Sequence, residues 1–432
     1  MRTALLTWAY PPEKSGLTRA AREIAQSLAD AGSDVTVFTM DRPAGTRPGG
    51  RDDGSDATRD GRVKVIGCGL RDGSLGARIR KVAAIGHGVA PLAFRRAVLR
   101  EHRRDPFDVV EATNWYAPGL AIALFGPAPL VTRNSTPAAT SAASVTSLRD
   151  RIDRRAAMLA ERLSARASRA LISNTQRHGE KIAALYDVAS PGLMPPDHVG
   201  LHGAVTHAVI GLSLPPEIVM RGQAARYPDE GPIELLFVGR DEHRKGFDAL
   251  IAAFKILSRR ADAGMPDFRL TIVGVAAEDL KAMPASARNR LRCHHRVDEP
   301  LLHDLMEASH VIVAPSRYES FGLVYQEAMM FGRPVVACAE DPSARLFIGD
   351  SGAGLLARHC TGDDLATPLQ RLIEDPALRA HYAAASRRAS GMFTRDTLAA
   401  QTIAVYRTAT ASKGASNSAS SSGRPAPVDI AS

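Results

Sequence analysis

The feature that most constrains this fold is an alternation of short, wholly apolar runs with helix-like segments. Strands that are apolar throughout are buried on both sides, which occurs when helices cover both faces of a parallel sheet. The alternation therefore predicts an α/β fold built on parallel sheets. The runs lie at 3–10, 35–40, 63–68, 109–113, 130–133, 170–173, 208–211, 234–239, 270–275, 311–316 and 334–339.

A linker-like segment at 226–232 separates the runs into two groups and so predicts two domains. The first would cover 1–225 and the second 226–390, each a Rossmann-like, doubly wound sheet, and the two would face each other across a cleft. Residues 41–61 are polar and rich in Gly and Pro, which predicts a mobile surface loop. The Ser-, Ala- and Gly-rich segment 411–432 predicts a disordered tail.

The net positive charge of the chain comes from its first half. Residues 1–215 carry 29 Lys and Arg against 20 Asp and Glu, which accounts for the whole net charge of +9. This asymmetry favours an anionic partner, contacted through the arginine-rich segments 78–104 and 149–169. An anionic membrane surface is one interpretation, and a solvated helix face in an Arg-rich chain is the other. Nucleic acid is not expected, because no recognised motif or set of stacking aromatics accompanies the arginines.

Neither a membrane-spanning segment nor a secretory signal is predicted. No apolar run reaches the ~20 residues that cross a bilayer, and the first run is cut short by Pro11 and Pro12. The four cysteines stand far apart, and the histidines lack the spacing of metal ligands. We expect a cytoplasmic protein with no metal and no cofactor, peripheral at the inner membrane face if the basic half docks there.

Two glutamates eight positions apart follow the run at 311–316. Glu319 would stand in the loop facing the cleft, and Ser320 would cap the helix that carries Glu327. At 1.5 Å per residue, Glu327 would lie about two turns and ~10 Å along that helix, a span comparable with a nucleotide-sugar. Unpaired amides at a helix start suit phosphate. Those amides would belong to Phe321, Gly322 and Leu323.

A basic turn, Gly239-Arg240-Asp241-Glu242-His243-Arg244-Lys245-Gly246, follows the run at 234–239. Fixed cations at a strand end stabilise a diphosphate leaving group as it gathers charge. Arg240 and Lys245 are the candidates for that role, and His243 and Arg244 are expected to be solvated. A third turn, with Ser15 and Gly16 between the first run and a helix, would let backbone approach a phosphate or a sugar.

These three motifs together resemble the retaining glycosyltransferases of family 4. The resemblance rests on the two glutamates followed by MMFGRPVVA at 329–337, on the basic turn, and on the YPP…SG segment at 10–16. It covers residues 1–409 in order, more specifically in the second half than in the first. It implies the GT-B fold, with an acceptor-side first domain, a donor-binding second domain, and a helix at 391–410 that crosses back to the first.

The resemblance also assigns roles to residues. The first glutamate of the family faces the donor sugar and the second holds the ribose hydroxyls, so Glu319 and Glu327 would do so here. Arg240 and Lys245 would bind the diphosphate, and Glu319, Arg240 and Lys245 would form the catalytic set. The other positions implied on the donor side are Ser15, Gly16, Gly239, Val297, Phe321, Gly322 and Leu323.

Two departures from the family stand out. Ser135 occupies a position that is often His, close to the reacting sugar, and with Asn114 it would face the sugar or the acceptor. Residues 339–343 replace a Gly-Gly pair that often follows the last run. A different sugar or acceptor geometry would follow from both.

The implied reaction moves a sugar, with retention and without metal, from a nucleotide-diphosphate-sugar to a carbohydrate acceptor. A lipid-linked acceptor, as in cell-surface or exopolysaccharide synthesis, would suit a basic first half. Two alternatives stay open at this point. One is a nucleotide-sugar epimerase or phosphorylase of the same architecture, and the other is a non-enzymatic basic scaffold that binds an anionic surface.

Overall fold

The computed structural model contains two parallel sheets, which confirms the α/β prediction. The described residues are 1–12, 15–44, 57–140, 147–192, 199–200, 203–228, 231–276 and 283–418. The strands of the first half are β1 (Arg2–Thr7), β2 (Asp34–Pro43), β3 (Ala57–Asp60), β4 (Val63–Gly69), β5 (Val109–Thr113), β6 (Leu130–Asn134), β7 (Ala170–Ser173), β8 (Val199–Gly200), β9 (Gly203–Ala204) and β10 (Thr206–Val209). Those of the second half are β11 (Ile233–Val238), β12 (Phe268–Val273), β13 (Leu291–His294), β14 (Val311–Ala314), β15 (Val335–Cys338) and β16 (Gly354–Ala357).

The two sheets have the doubly wound order. In the described part of the chain, the first sheet runs β10-β7-β6-β5-β1-β2-β4-β3 and the second runs β13-β12-β11-β14-β15-β16. Within these two sheets, neighbouring strands pair in parallel except for β3 with β4, and β8 and β9 form a separate antiparallel pair. The order reverses beside β1 in one sheet and beside β11 in the other, and such reversals open a crevice for ligands.

Helices connect the strands and cover both sheets. In chain order they are α1 (Gly16–Asp30), α2 (Leu75–Ile79), α3 (Val89–Arg104), α4 (Leu120–Phe125), α5 (Leu148–Ala167), α6 (Gln176–Tyr186), α7 (Pro216–Ala224), α8 (Phe247–Asp262), α9 (Ala285–Asn289), α10 (Glu299–Ala308), α11 (Leu323–Met330), α12 (Pro342–Ala344), α13 (Gly362–Glu374), α14 (Pro376–Ala389) and α15 (Arg395–Ser418). The central strands are apolar because helices lie on both sides. Every residue of β7, β14 and β15 is buried.

Five strands were not predicted: β3, β8, β9, β13 and β16. The strand β3 pairs antiparallel with β4, so the expected loop at 41–61 is wrong for residues 57–60, and β2 continues to Pro43. Residues 45–56 of that loop lie outside the described residues. The strands β3, β13 and β16 lie at sheet edges or beside a hairpin, where one face stays partly exposed and no continuous apolar run is needed.

Helix α15 returns from the second sheet to pack against α1 of the first half. Arg395 donates two hydrogen bonds of 2.8 Å to Glu23, and the Tyr406 hydroxyl donates one of 2.8 Å to Glu111. The helix continues to Ser418, so the prediction of disorder is wrong for 411–418. A helix already formed by packing extends at little cost, because each added residue gains a hydrogen bond. Residues 419–432 lie outside the described residues.

Candidate active site

A cleft of about 2080 Å³ lies between the two sheets, at the ends where their strands finish. Its walls carry residues that follow β1, β5 and β6 on one side and β11, β12 and β14 on the other. The volume exceeds the ~1,000 Å³ of a large single-ligand pocket, so there is room for two substrates at once. The predicted residues on its walls are Ser15, Gly16, Ser135, Gly239, Arg240, Lys245, Val297, Glu319, Phe321, Gly322, Leu323 and Glu327.

Glu319 lies buried in the loop after β14, between two cations. Its carboxylate accepts hydrogen bonds from Lys245 Nζ at 2.6 Å, Arg244 Nη1 at 3.1 Å and Ser316 Oγ at 2.7 Å. Burial acts to raise the pKa of Glu319, but the charges of Lys245 and Arg244 outweigh it and hold that pKa below its usual value. The carboxylate is therefore ionised at neutral pH, with its charge balanced within the site.

The helix after Glu319 begins at Leu323, so the predicted cap at Ser320 is wrong. The residue before the helix is Gly322, whose left-handed backbone has a φ of 87°. A Cβ at this position would lie 2.4 Å from the ring of Tyr325, which only glycine avoids. This tight turn delays the helix, and Glu327 consequently lies one turn into α11 instead of two.

Glu327 is buried and pairs with Arg19 of helix α1, across the cleft. The Arg19 guanidinium also lies 3.8 Å from Glu299, near the Val297 segment implied to face the base. The two halves of the chain thus meet at the carboxylate implied to hold the ribose. No motif singled out Arg19; its one signal was its place in the helix that follows Gly16.

The basic turn is shaped by Gly246, which has a φ of 67° and starts α8. A Cβ there would lie 1.9 Å from the carbonyl oxygen of Pro315, so glycine lets this turn pack against the loop of Glu319. Arg240 is 74% exposed and pairs with Glu242 at 2.9 Å. Arg244 is not solvated as predicted: it is largely buried, bonding Glu319 and the Tyr318 carbonyl.

Asp341, from the segment that replaces the family's Gly-Gly pair, holds the Glu319 loop in place. Its carboxylate accepts hydrogen bonds from the Glu319 amide at 2.9 Å, the Ser343 amide at 3.2 Å and the Tyr325 hydroxyl at 2.7 Å. Ser343 Oγ donates a further bond of 3.0 Å to the Glu319 carbonyl. Burial, with the nearby charge of Glu319, raises the pKa of Asp341 to about 7. Sequence reasoning missed this positioning residue.

A second contact between the two halves lies beside Glu319. The Tyr318 hydroxyl donates to His178 Nδ1 at 2.5 Å, and His178 Nε2 donates to the Asn134 carbonyl at 3.3 Å. Burial lowers the pKa of His178 to about 4, so the imidazole is neutral at physiological pH. Lys181 lies 3.6 Å from the Tyr318 ring centre, where its charge favours the ring face. These contacts fix the orientation of the Glu319 loop.

The first-domain wall of the cleft is aromatic. Both tryptophans of the chain, Trp8 and Trp115, line it with Tyr116, and Trp8 Nε1 donates to the Trp115 carbonyl at 2.6 Å. Ser15 caps α1, and at Gly16 no atom of the described residues lies within 4 Å of where a Cβ would stand. Backbone can therefore approach a ligand at that turn.

Asn114 and Ser135 form one unit. Asn114 Oδ1 accepts from the Ser135 amide at 2.7 Å and from its hydroxyl at 3.0 Å, and Asn114 Nδ2 donates to the Tyr186 hydroxyl at 2.8 Å. Asn114 is buried away from the cleft, whereas Ser135 lies on its wall. Asn114 is consequently placed to act through Ser135, by fixing its side chain.

Two facing Rossmann-like sheets, joined by a helix that returns to the first, define a GT-B glycosyltransferase. Residues 15–192 match the family described as "Glycosyl transferase 4-like domain", and residues 223–389 match "Glycosyl transferases group 1". The chain belongs to this family of glycosyltransferases, as the motifs predicted.

Of two named relatives, one aligns with nearly the whole chain and the other with less than half of it. The chain is 30% identical over 416 residues to the glycogen synthase of Mycobacterium tuberculosis, a match covering 94% of each chain. It is 36% identical over 185 residues to the phosphatidyl-myo-inositol mannosyltransferase of Mycolicibacterium smegmatis, covering 42% of this chain and 46% of that one. The solved sucrose-phosphate synthase of Thermosynechococcus elongatus has a TM-score of 0.68 at 20% identity over 94% of this chain and 98% of that one, a likeness of fold alone.

Proposed function

We propose that this glycosyltransferase moves a sugar from a nucleotide-diphosphate-sugar to a hydroxyl of a carbohydrate acceptor, with retention and without a metal ion. The observation that carries the proposal is the buried Glu319 held by Lys245 and Arg244 at the strand end facing the cleft. An ionised carboxylate and fixed cations side by side suit a reaction that separates charge between a sugar ring and a diphosphate.

In this proposal, Arg240 and Lys245 both stabilise the diphosphate leaving group. Lys245 is fixed by its 2.6 Å contact with Glu319, so its position is set before substrate binds. Within the described ranges, the side chain of Arg240 pairs with Glu242 alone, at an exposed site from which it can turn onto the diphosphate. Cations already in place cost little reorganisation as negative charge develops, which is why they lower the barrier without a metal.

The acceptor hydroxyl attacks the anomeric carbon on the face that the diphosphate leaves. The bond from that carbon to the phosphate oxygen breaks as the bond to the acceptor oxygen forms, and the acceptor proton passes to the departing phosphate oxygen. Glu319 is a poor base here, because two cations already hold its charge and lower its pKa. Its role is to orient the donor sugar and to balance positive charge at the anomeric carbon.

The acceptor in this proposal is lipid-linked, as in cell-surface or exopolysaccharide synthesis. None of the helices in the described ranges is long and apolar enough to cross a membrane. A cytoplasmic enzyme using such an acceptor would meet it at the inner membrane face. A basic first half is compatible with this placement.

Thermal unfolding in the presence of nucleoside diphosphates and their sugars tests the donor site. One nucleotide, at 100 times its Kd, should raise the free energy of unfolding by about 2.7 kcal/mol. Glu327→Gln should weaken that ligand about 10- to 100-fold, because a hydrogen bond to a charged group is worth about 1.5–3 kcal/mol.

Glu374→Gln on α13 is the matched control, since Glu374 is exposed and is not among the residues that line the cleft. It should leave the affinity within about threefold, as expected for a surface charge. The donor site would be abandoned if no nucleotide stabilised the protein. The ribose role of Glu327 would be rejected if the two variants behaved alike.

A further inference from the structure

The distribution of large apolar side chains on helix α5 is the reverse of that on an ordinary surface helix. Its protein-facing side carries the small residues Ala157, Ala160, Ser164 and Ala165, all buried. Its solvent-facing side carries large apolar ones. The surface helix of a globular protein normally turns its apolar stripe toward the core. The exposed side chains are Leu148, Ile152, Leu159 and Leu163, which are 68%, 46%, 56% and 41% exposed.

The segment that precedes α3 packs against α5 and also exposes large apolar residues. Leu75 and Ile85 in this segment are 73% and 67% exposed. Arg149 Nη2 donates to the Lys81 carbonyl at 2.6 Å, and the Ala84 amide donates to Asp153 at 3.1 Å. We call these six apolar residues the docking face: Leu75, Ile85, Leu148, Ile152, Leu159 and Leu163.

Arginines flank this docking face. Arg151 and Arg155 are exposed on α5, and Arg162 and Arg166 lie farther along it, sharing Asp187 at 2.8 and 3.0 Å. An exposed helix with apolar residues on one side and arginines beside them has the composition of helices that lie in a lipid interface. Apolar side chains would enter the acyl region while guanidinium groups contact anionic headgroups.

We propose that the docking face binds an anionic lipid bilayer, an inference that rests on the proposed lipid-linked acceptor. A second copy of the chain fits less well. A symmetric dimer through this face would bring the same arginines of both copies together, and like charges repel. A bilayer with anionic headgroups supplies the complementary charge along with an apolar interior.

The docking face adjoins the cleft. Asp153 of α5 lines the cleft wall while its neighbour Ile152 points outward, and Arg80 and His87 line the same wall beside the exposed Ile85. A protein docked by this face would hold the first-domain end of the cleft close to the membrane surface. A lipid-linked acceptor could enter that end without leaving the bilayer.

Co-sedimentation with vesicles of equal parts phosphatidylcholine and phosphatidylglycerol tests this inference. The wild-type protein should bind them at low salt and stay partly bound at 0.5 M NaCl, because salt screens arginines and not apolar contacts. Pure phosphatidylcholine vesicles should bind it far more weakly. Leu159→Glu with Leu163→Glu should weaken binding about tenfold or more, since two apolar side chains are lost from the interface.

Met220→Glu on α7 is the matched control, because Met220 is 66% exposed but lies outside the docking face. Unchanged circular dichroism and sugar transfer to a water-soluble acceptor would show that the double variant is folded. Failure of wild-type protein to bind anionic vesicles at any salt concentration overturns the docking proposal, even if transfer proceeds. A double variant that converts a dimer to a monomer, without any effect on vesicle binding, overturns it too. Vesicle binding without any use of a nucleotide-sugar would reject the proposed function alone.

Discussion

Replacing Lys245 by alanine should lower kcat by about 100-fold or more, the usual cost of removing one preorganised charge stabiliser. Lys245 Nζ lies 2.6 Å from Glu319, and both Lys245 and the exposed Arg240 line the cleft. The variant loses a cation at the leaving group, and it raises the pKa of Glu319, because the Arg244 charge and the Ser316 hydrogen bond then oppose the effect of burial without Lys245. Both changes act on the transition state, so the donor KM should change less than kcat.

Lys255→Ala is the control for this variant. Lys255 lies on α8 of the same domain and is not among the residues of the cleft wall. Its removal should leave kcat within a factor of about two, as a surface substitution away from the site does. Full activity in both Lys245→Ala and Arg240→Ala would remove the basic turn from the mechanism.

Replacing Glu111 by alanine should lower the free energy of unfolding by about 3–5 kcal/mol, the cost of breaking a buried ion pair from one side. Glu111 accepts two hydrogen bonds from Arg133, at 2.8 and 3.0 Å, and one from Tyr406 of α15. Both charged residues are buried, so the variant strands the Arg133 guanidinium without its counter-charge. Urea unfolding followed by circular dichroism measures the loss.

Two further variants make that experiment decisive. Tyr406→Phe removes one hydrogen bond and should cost only about 0.5–1.5 kcal/mol. Glu111→Leu combined with Arg133→Met replaces the whole pair with apolar groups and should recover most of the loss, as buried pairs often do. If Glu111→Ala cost less than Tyr406→Phe, the ion pair would not anchor the returning helix.

The sequence predicted the buried strands well because burial on both faces leaves a visible run. Residues 109–113 and 170–173 were bounded correctly, since both segments lie inside a covered sheet. Edge strands such as β13 leave no such trace, because half of their side chains meet solvent. The exposed stripe of α5 was invisible for a related reason: its apolar spacing looks the same whether the leucines face inward or outward.

The candidate active site was also predictable only in part. Glu319 and Lys245 each follow a strand of one parallel sheet, and positions after such strands meet at one edge, so their proximity could be anticipated. The partnership of Arg244 with Glu319 depends on two loop conformations some 75 positions apart along the chain. The contact of Asp341 with the Glu319 amide and that of Arg19 with Glu327 likewise join segments that are separate in the sequence. No local pattern encodes them.

The most direct test of the central claim is an NMR time course of donor sugar, saccharide acceptor and enzyme in EDTA. The donor is the nucleotide-sugar that stabilises the protein in thermal unfolding. We expect nucleoside diphosphate to appear together with the glycosylated acceptor, one for one, and the new linkage to keep the anomeric configuration of the donor. Omitting the acceptor should nearly abolish release. An inverted linkage, an epimerised nucleotide-sugar, a requirement for inorganic phosphate, or loss of activity in EDTA would contradict the proposal.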